Sequence, residues 1–106
     1  MDFQKMMSQA QQVQERLQEL QKKLVEIEVI GESGGGVVRV AMTCDGMVQG
    51  IAIDPSLIKP EERETLEDLI VAAVNDAAAK KDNRIQDETR SLMSEMGLPS
   101  DGKLPG

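Results

Sequence analysis

Six cations are grouped where their chemistry, attraction for phosphate or another anion, would act along helices. Lys22 and Lys23 lie at the end of one helical stretch, and Lys80, Lys81, Arg84 and Arg90 lie late in another. Lys80 and Arg84 are four apart and share a helix face. Lys81 continues the line from Ala77 to Ile85, which places its stem over apolar surface. Residues 77–90 hold four basic and three acidic side chains (Asp82, Asp87, Glu88), whereas residues 54–76 hold two basic and seven acidic ones. The late helix is therefore polarised, acidic at its start and mildly basic further on. Against this stands a net charge of −7 for the 106 residues. On average that disfavours a surface coated in nucleic acid, and charge alone favours a solvated face.

Other chemistries are poorly equipped. The chain has no His and one Cys, Cys44. It thus lacks the usual acid–base side chain at neutral pH and the means to build an ordinary zinc site from one chain. Cys44 has no basic neighbour in sequence to activate it and reads as a strand-end thiol. Gly34-Gly35-Gly36 is followed by Val37 and a strand, whereas a phosphate-binding loop needs Lys with Ser or Thr and then a helix. The carboxylates from Glu61 to Asp68 lack calcium-loop spacing and read as a solvated helix start. The expectation is a protein that is not an enzyme and uses no metal or cofactor. No apolar run approaches the roughly 18 residues of a membrane span. No secretory signal is visible at the start, so a cytoplasmic location is expected.

The elements that must position the cations follow from periodicity. Phe3, Met6, Ala10, Val13, Leu17, Leu20, Leu24 and Ile27 recur at steps of three and four, a heptad seam on a helix expected over about 3–24. Val25, Ile27 and Val29 then alternate with Glu26 and Glu28, which predicts a first strand. Residues 31–36 read as a flexible connector. A second strand is expected over Val37–Thr43, a tight turn at Asp45-Gly46, and a third strand over Met47–Ile53 with Gly50 marking a bulge or close approach. Leu57 and Ile58 suggest one short helical turn.

The second helix should start near Pro60 and end at Gly97. Leu66, Leu69, Ile70, Ala73, Val74 and Ala77 form its apolar face, and its alanines permit close approach to a neighbour. Residues 1–97 form one domain on this reading, and 98–106 a disordered tail. At 1.5 Å per residue the second helix would span roughly 55 Å. That exceeds a compact domain with a radius of gyration of about 13 Å. It must overhang, which favours self-association through the seam over internal packing.

Four stretches carry a resemblance. They are Gln9-Ala10-Gln11-Gln12-Val13-Gln14-Glu15, then Gly31-Glu32-Ser33-Gly34-Gly35-Gly36-Val37-Val38-Arg39-Val40, then Ile53-Asp54-Pro55-Ser56-Leu57, and last the run from Leu66 to Ala77. Together, and in order over nearly the whole chain, they resemble the YbaB/EbfC family of bacterial nucleoid-associated proteins. The resemblance implies an α/β (α+β) fold: a long N-terminal helix, a three-stranded antiparallel meander and a long C-terminal helix. It also implies a tweezer-like homodimer that binds double-stranded DNA with little sequence preference, influences chromosome organisation and gene expression, and resides in the nucleoid. Matching the family's DNA-contacting helices gives Arg16, Lys22 and Lys23 on the first helix and Lys80, Lys81, Arg84 and Arg90 on the last. Phosphate contacts suit such a set, because affinity follows phosphates neutralised and not net charge. With Phe3 the sole aromatic, base stacking on single strands is disfavoured. The alternative is an acidic interaction module whose partners are other proteins.

Overall fold

The computed structural model describes residues 2–98. In chain order, α1 (Phe3–Glu26) leads to β1 (Glu28–Ser33), β2 (Val38–Thr43) and β3 (Val48–Ile53). Two 3-10 turns, Pro55–Leu57 and Pro60–Glu62, precede α2 (Arg63–Glu95). The strands form an antiparallel sheet in the order β1-β2-β3.

The expected elements are all present, with shifted boundaries. Val25 belongs to α1, and β1 runs through Gly31, Glu32 and Ser33, residues assigned to a connector from their flexibility. The reason is steric. A Cβ at Gly31 would lie 2.3 Å from the Ala73 carbonyl oxygen and the Ala77 nitrogen. This glycine is therefore a contact point between strand and helix. The turn proper is Gly34-Gly35-Gly36, with φ of 60°, 74° and 96°, values that glycine alone adopts readily.

The second hairpin also departs from a two-residue turn. The Gly46 N–H donates to the Thr43 carbonyl at 2.9 Å, the Thr43 N–H donates to the Met47 carbonyl at 2.9 Å, and positive φ is confined to Gly46. Further along, Ala41 faces Gly50 while Met42 faces Val48. Gln49 is thus the extra residue of a bulge beside Gly50.

Alternation places Val38, Val40 and Met42 on one face of β2, where they pack with Leu57, Ala73 and Ala77. Val38 and Val40 are fully buried, and burying each stabilises the fold by about 1.5–3 kcal/mol. Helix α2 packs on β1 and β2. β3 is left exposed along its first five residues, with Val48 and Ile51 among the exposed large apolar side chains.

Beyond the sheet, α2 continues into open space. The molecule measures 71 × 30 × 16 Å with a radius of gyration of 19.6 Å, so the overhang is real. It is partly covered from within the same chain. Leu20 and Leu24 of the α1 seam pack with Cys44, Ile27, Val29, Ile85 and Leu92. The C-terminal end of the seam thus meets α2 of its own chain, while Phe3, Met6 and Leu17 stay exposed.

Helix α2 ends where Gly97 was expected to stop it. The Leu98 N–H donates to the Met93 carbonyl at 2.8 Å and the Gly97 N–H to the Ser94 carbonyl at 3.1 Å. With φ of 72° at Gly97, this is a Schellman cap. The tail expected over 98–106 lies, apart from Leu98, outside the described residues.

Candidate nucleic-acid interface

The seven candidate cations are carried by α1 and the distal half of α2. Cys44 helps hold those helices together: its N–H donates to the Leu24 carbonyl at 3.2 Å and the Ile27 carbonyl at 2.9 Å, satisfying groups at the end of α1. Burial pushes the Cys44 thiol above its ordinary range, so it is a packed side chain and not an activated nucleophile.

The cations have different surroundings. Lys23 Nζ donates to Glu88 Oε2 at 2.8 Å, and Arg84 Nε donates to Glu88 Oε1 at 3.0 Å. One carboxylate therefore joins α1 to α2. These two cations, Lys23 first, hold the Glu88 carboxyl below its ordinary pKa. Arg16 pairs with Glu19 at 3.9 Å on exposed surface. Lys81 is half-buried and pairs with Asp82 at 3.2 Å, in keeping with a stem laid over apolar surface. Arg90 lies 3.8 Å from Asp87. Lys22 is exposed, with no ion pair among the described residues.

Lys80 is committed to the fold. Its ammonium donates to the Ile30 carbonyl at 3.0 Å and pairs with Asp76 at 3.0 Å, while Asp76 accepts from the Glu32 N–H at 2.8 Å. Both backbone groups belong to the edge strand β1. Two side chains one helical turn apart thus satisfy a free strand edge. The Glu32 N–H, and after it Lys80, depresses the Asp76 pKa. Lys80 and Arg84 share a helix face in sequence, yet one anchors the sheet and the other reaches the clasp at Glu88.

Sequence reasoning passed over Asp76 and Glu88 as organisers. The available signal was their i,i+4 spacing to Lys80 and Arg84. The long-range partners, Glu32 and Lys23, appear only in the fold.

Charge is segregated along the molecule. Residues 27–76, which contain the sheet and the α2 segment over it, hold three cations and ten carboxylates, a net of −7. Residues 3–26 and 77–95, the two arms, hold eight cations and seven carboxylates, a net of +1. The whole chain's acidity therefore resides at the sheet end. Between the arms runs an open groove lined by Gln9, Gln12, Val13, Arg16, Glu19 and Met96, among others. No group of three or more His, Cys, Asp or Glu among the described residues is arranged to hold a metal ion. No helix among them is long and apolar enough to cross a membrane.

These features define an α+β protein with two helical arms, in which the arms carry eight of the eleven described cations. The chain belongs to the YbaB/EbfC DNA-binding family, whose sequence pattern matches residues 1–96. A protein of Nitrobacter winogradskyi named as a nucleoid-associated protein is 51% identical over 98 residues, which cover 92% of each chain. One of Bartonella tribocorum with the same name is 44% identical over 100 residues, 94% of each chain. Among solved structures, an uncharacterized protein from Helicobacter pylori superposes with a TM-score of 0.66 at 24% identity. The match covers 91% of this chain and 97% of that one. That similarity shows the fold.

Proposed function

We propose that this protein is a nucleoid-associated, non-enzymatic DNA-binding protein that holds duplex DNA as a homodimer, through phosphate contacts with little sequence preference. The observation that carries the reading is the separation of charge. The arms together carry a net of +1 against −7 over residues 27–76, so the phosphate backbone is admitted along the arms and repelled from the sheet end. Helix α1, with 24 residues, is roughly 36 Å long, close to one turn of duplex. Arg16, Lys22, Lys23, Lys81, Arg84 and Arg90 are the proposed phosphate contacts. Lys80 contributes field while it anchors β1. The arms carry Gln and Ser, which extend phosphate contacts, and no helix-turn-helix arrangement that would read bases.

The homodimer is supported by the contrast between the sheet edges. β1 is capped by Asp76 and Lys80, whereas β3 lies open beside exposed Met47, Val48 and Ile51. An open edge with an apolar margin suits pairing with a second copy. Two copies double the arms' cations.

The test is duplex binding by fluorescence anisotropy across a salt series. Affinity should fall steeply as salt rises, and Lys22→Glu combined with Arg16→Glu should weaken binding with the melting temperature unchanged. No binding at low salt and micromolar protein would sink the reading. For the dimer, sedimentation should give twice the 11.6 kDa chain mass, and Ile51→Asp should halve it. If Leu17→Asp dissociates the dimer and Ile51→Asp does not, the α1 seam is the interface.

A further inference from the structure

Of the cations on the arms, two share one partner. The Glu88 side chain is 16% exposed, whereas Lys23 is 58% exposed and Arg84 48%. The carboxylate therefore lies inside the α1–α2 junction while the cations it holds face water. Directly under it, Leu20, Leu24, Ile85 and Leu92 already pack the two helices together. An apolar contact of that kind keeps the arms apposed without the ion pairs, and exposed ion pairs add little stability of their own.

Accepting the DNA-binding reading above, we propose that Glu88 is an autoinhibitory carboxylate. It occupies Lys23 and Arg84, both available to phosphate, and sets DNA affinity below what the arms' cations allow. The three side chains together carry one positive charge. A phosphate approaching from the solvent side meets two cations whose field is half cancelled from behind. It must also draw each donor away from a charge-assisted bond of 2.8 or 3.0 Å. Salt screens these pairs, but the competing anion is tethered to the chain and stays beside both cations.

The sign of the effect separates this role from a supporting one. If Glu88 merely held Lys23 and Arg84 in place for DNA, removing its charge would weaken binding. As a competitor, it must strengthen binding when neutralised. Glu88→Gln keeps the size and the accepting oxygen and removes the charge. Glu64→Gln removes the same unit charge from an exposed carboxylate at the sheet end of the same helix and releases neither cation.

The experiment measures binding of the full chain to a random-sequence duplex, at several salt concentrations, with thermal melts in parallel. E88Q should bind roughly fivefold tighter at low salt, with a log–log salt slope steeper by about 0.9 for each phosphate gained. E64Q should change affinity by less than about twofold, since an exposed charge at the sheet end, away from the arms, is largely screened. Glu88→Asp, which retains charge but is shorter by one methylene and so loses reach to one cation, should fall between wild type and E88Q. It keeps the test available if E88Q melts early.

Weaker or unchanged binding by E88Q and E88D with normal melting would overturn the proposal, as would an equal gain in E64Q. Binding by E88Q where wild type shows none would be its strongest form. No binding by any of the variants or by wild type would instead overturn the DNA reading on which it rests.

Discussion

Helix α2 is continuous, but its two halves have different neighbours. Its first half lies against the sheet at backbone contact distance, with Ala73 and Ala77 fully buried and Gly31 opposite them. Its second half meets chiefly α1 and Cys44, through the ends of longer side chains such as Leu92, Ile85, Leu20 and Leu24. Charge follows the same division, with a net of −7 over residues 27–76 and of +1 over the arms. The close-packed half tolerates little change of shape and fixes where the arms begin. The arm half is joined by a small apolar cluster and a clasp at Glu88, and so has more room to adjust.

The largest expected effect tests the close-packed half. Gly31→Val places atoms where Ala73 and Ala77 backbone already lies, and backbone cannot move aside like a side chain. Chemical denaturation should show a loss of about 3 kcal/mol or more, at or above the usual cost of overpacking. A loss under about 1 kcal/mol would mean that α2 lifts off the sheet easily, and the contrast between the halves would fail.

A smaller effect is expected in the arm half. Leu24→Ala removes a buried side chain from a cluster with one open side, and should cost about 2 kcal/mol, the low end for such truncations. Hydrogen exchange would sharpen the comparison. Amides of α1 and of α2 beyond Lys81 should open sooner in this variant, while those around Ala73 keep their protection. Uniform loss of protection would show that the arms and the sheet unfold as a single unit.

Most of this architecture was legible in the chain because its signals are local. Alternation marked Val38, Val40 and Met42 as the inner face of a strand, the alanines of α2 marked a close approach, and Gly97 marked the stop. Gly31 was misread because flexibility and close packing call for the same residue. Only the position of Ala73 and Ala77, more than forty residues away, tells them apart. The seam was read correctly as a contact surface, but its partner depends on where β1 and β2 send the chain. Folding returns Leu20 and Leu24 to Ile85 and Leu92 of the same molecule. Among the cations, the periodic pattern grouped Lys80 with Arg84. The division of labour between them depends on Ile30, Glu32 and Lys23, none of which is near in sequence.

The smallest effect concerns acid. Asp76 has its pKa held below its ordinary value of 3.8, first by the Glu32 N–H and then by Lys80. A carboxyl depressed in the folded state contributes stability that is present above its unfolded value. That contribution is lost as pH falls through the folded value. The wild-type melting temperature should therefore decline as pH drops below about 4, part of that decline coming from Asp76. Asp76→Asn still offers an oxygen to the Glu32 N–H but has no proton to gain. Its melting temperature should be slightly lower at neutral pH and fall less steeply in acid. The Glu32 amide reports the event directly: its exchange should accelerate in wild type below about pH 4 relative to the neighbouring β1 amides, after correction for intrinsic rates, and show no such step in the variant. If both proteins show the same step, the edge of β1 is not held by that carboxylate, and the capped edge is no better protected than the open one on β3.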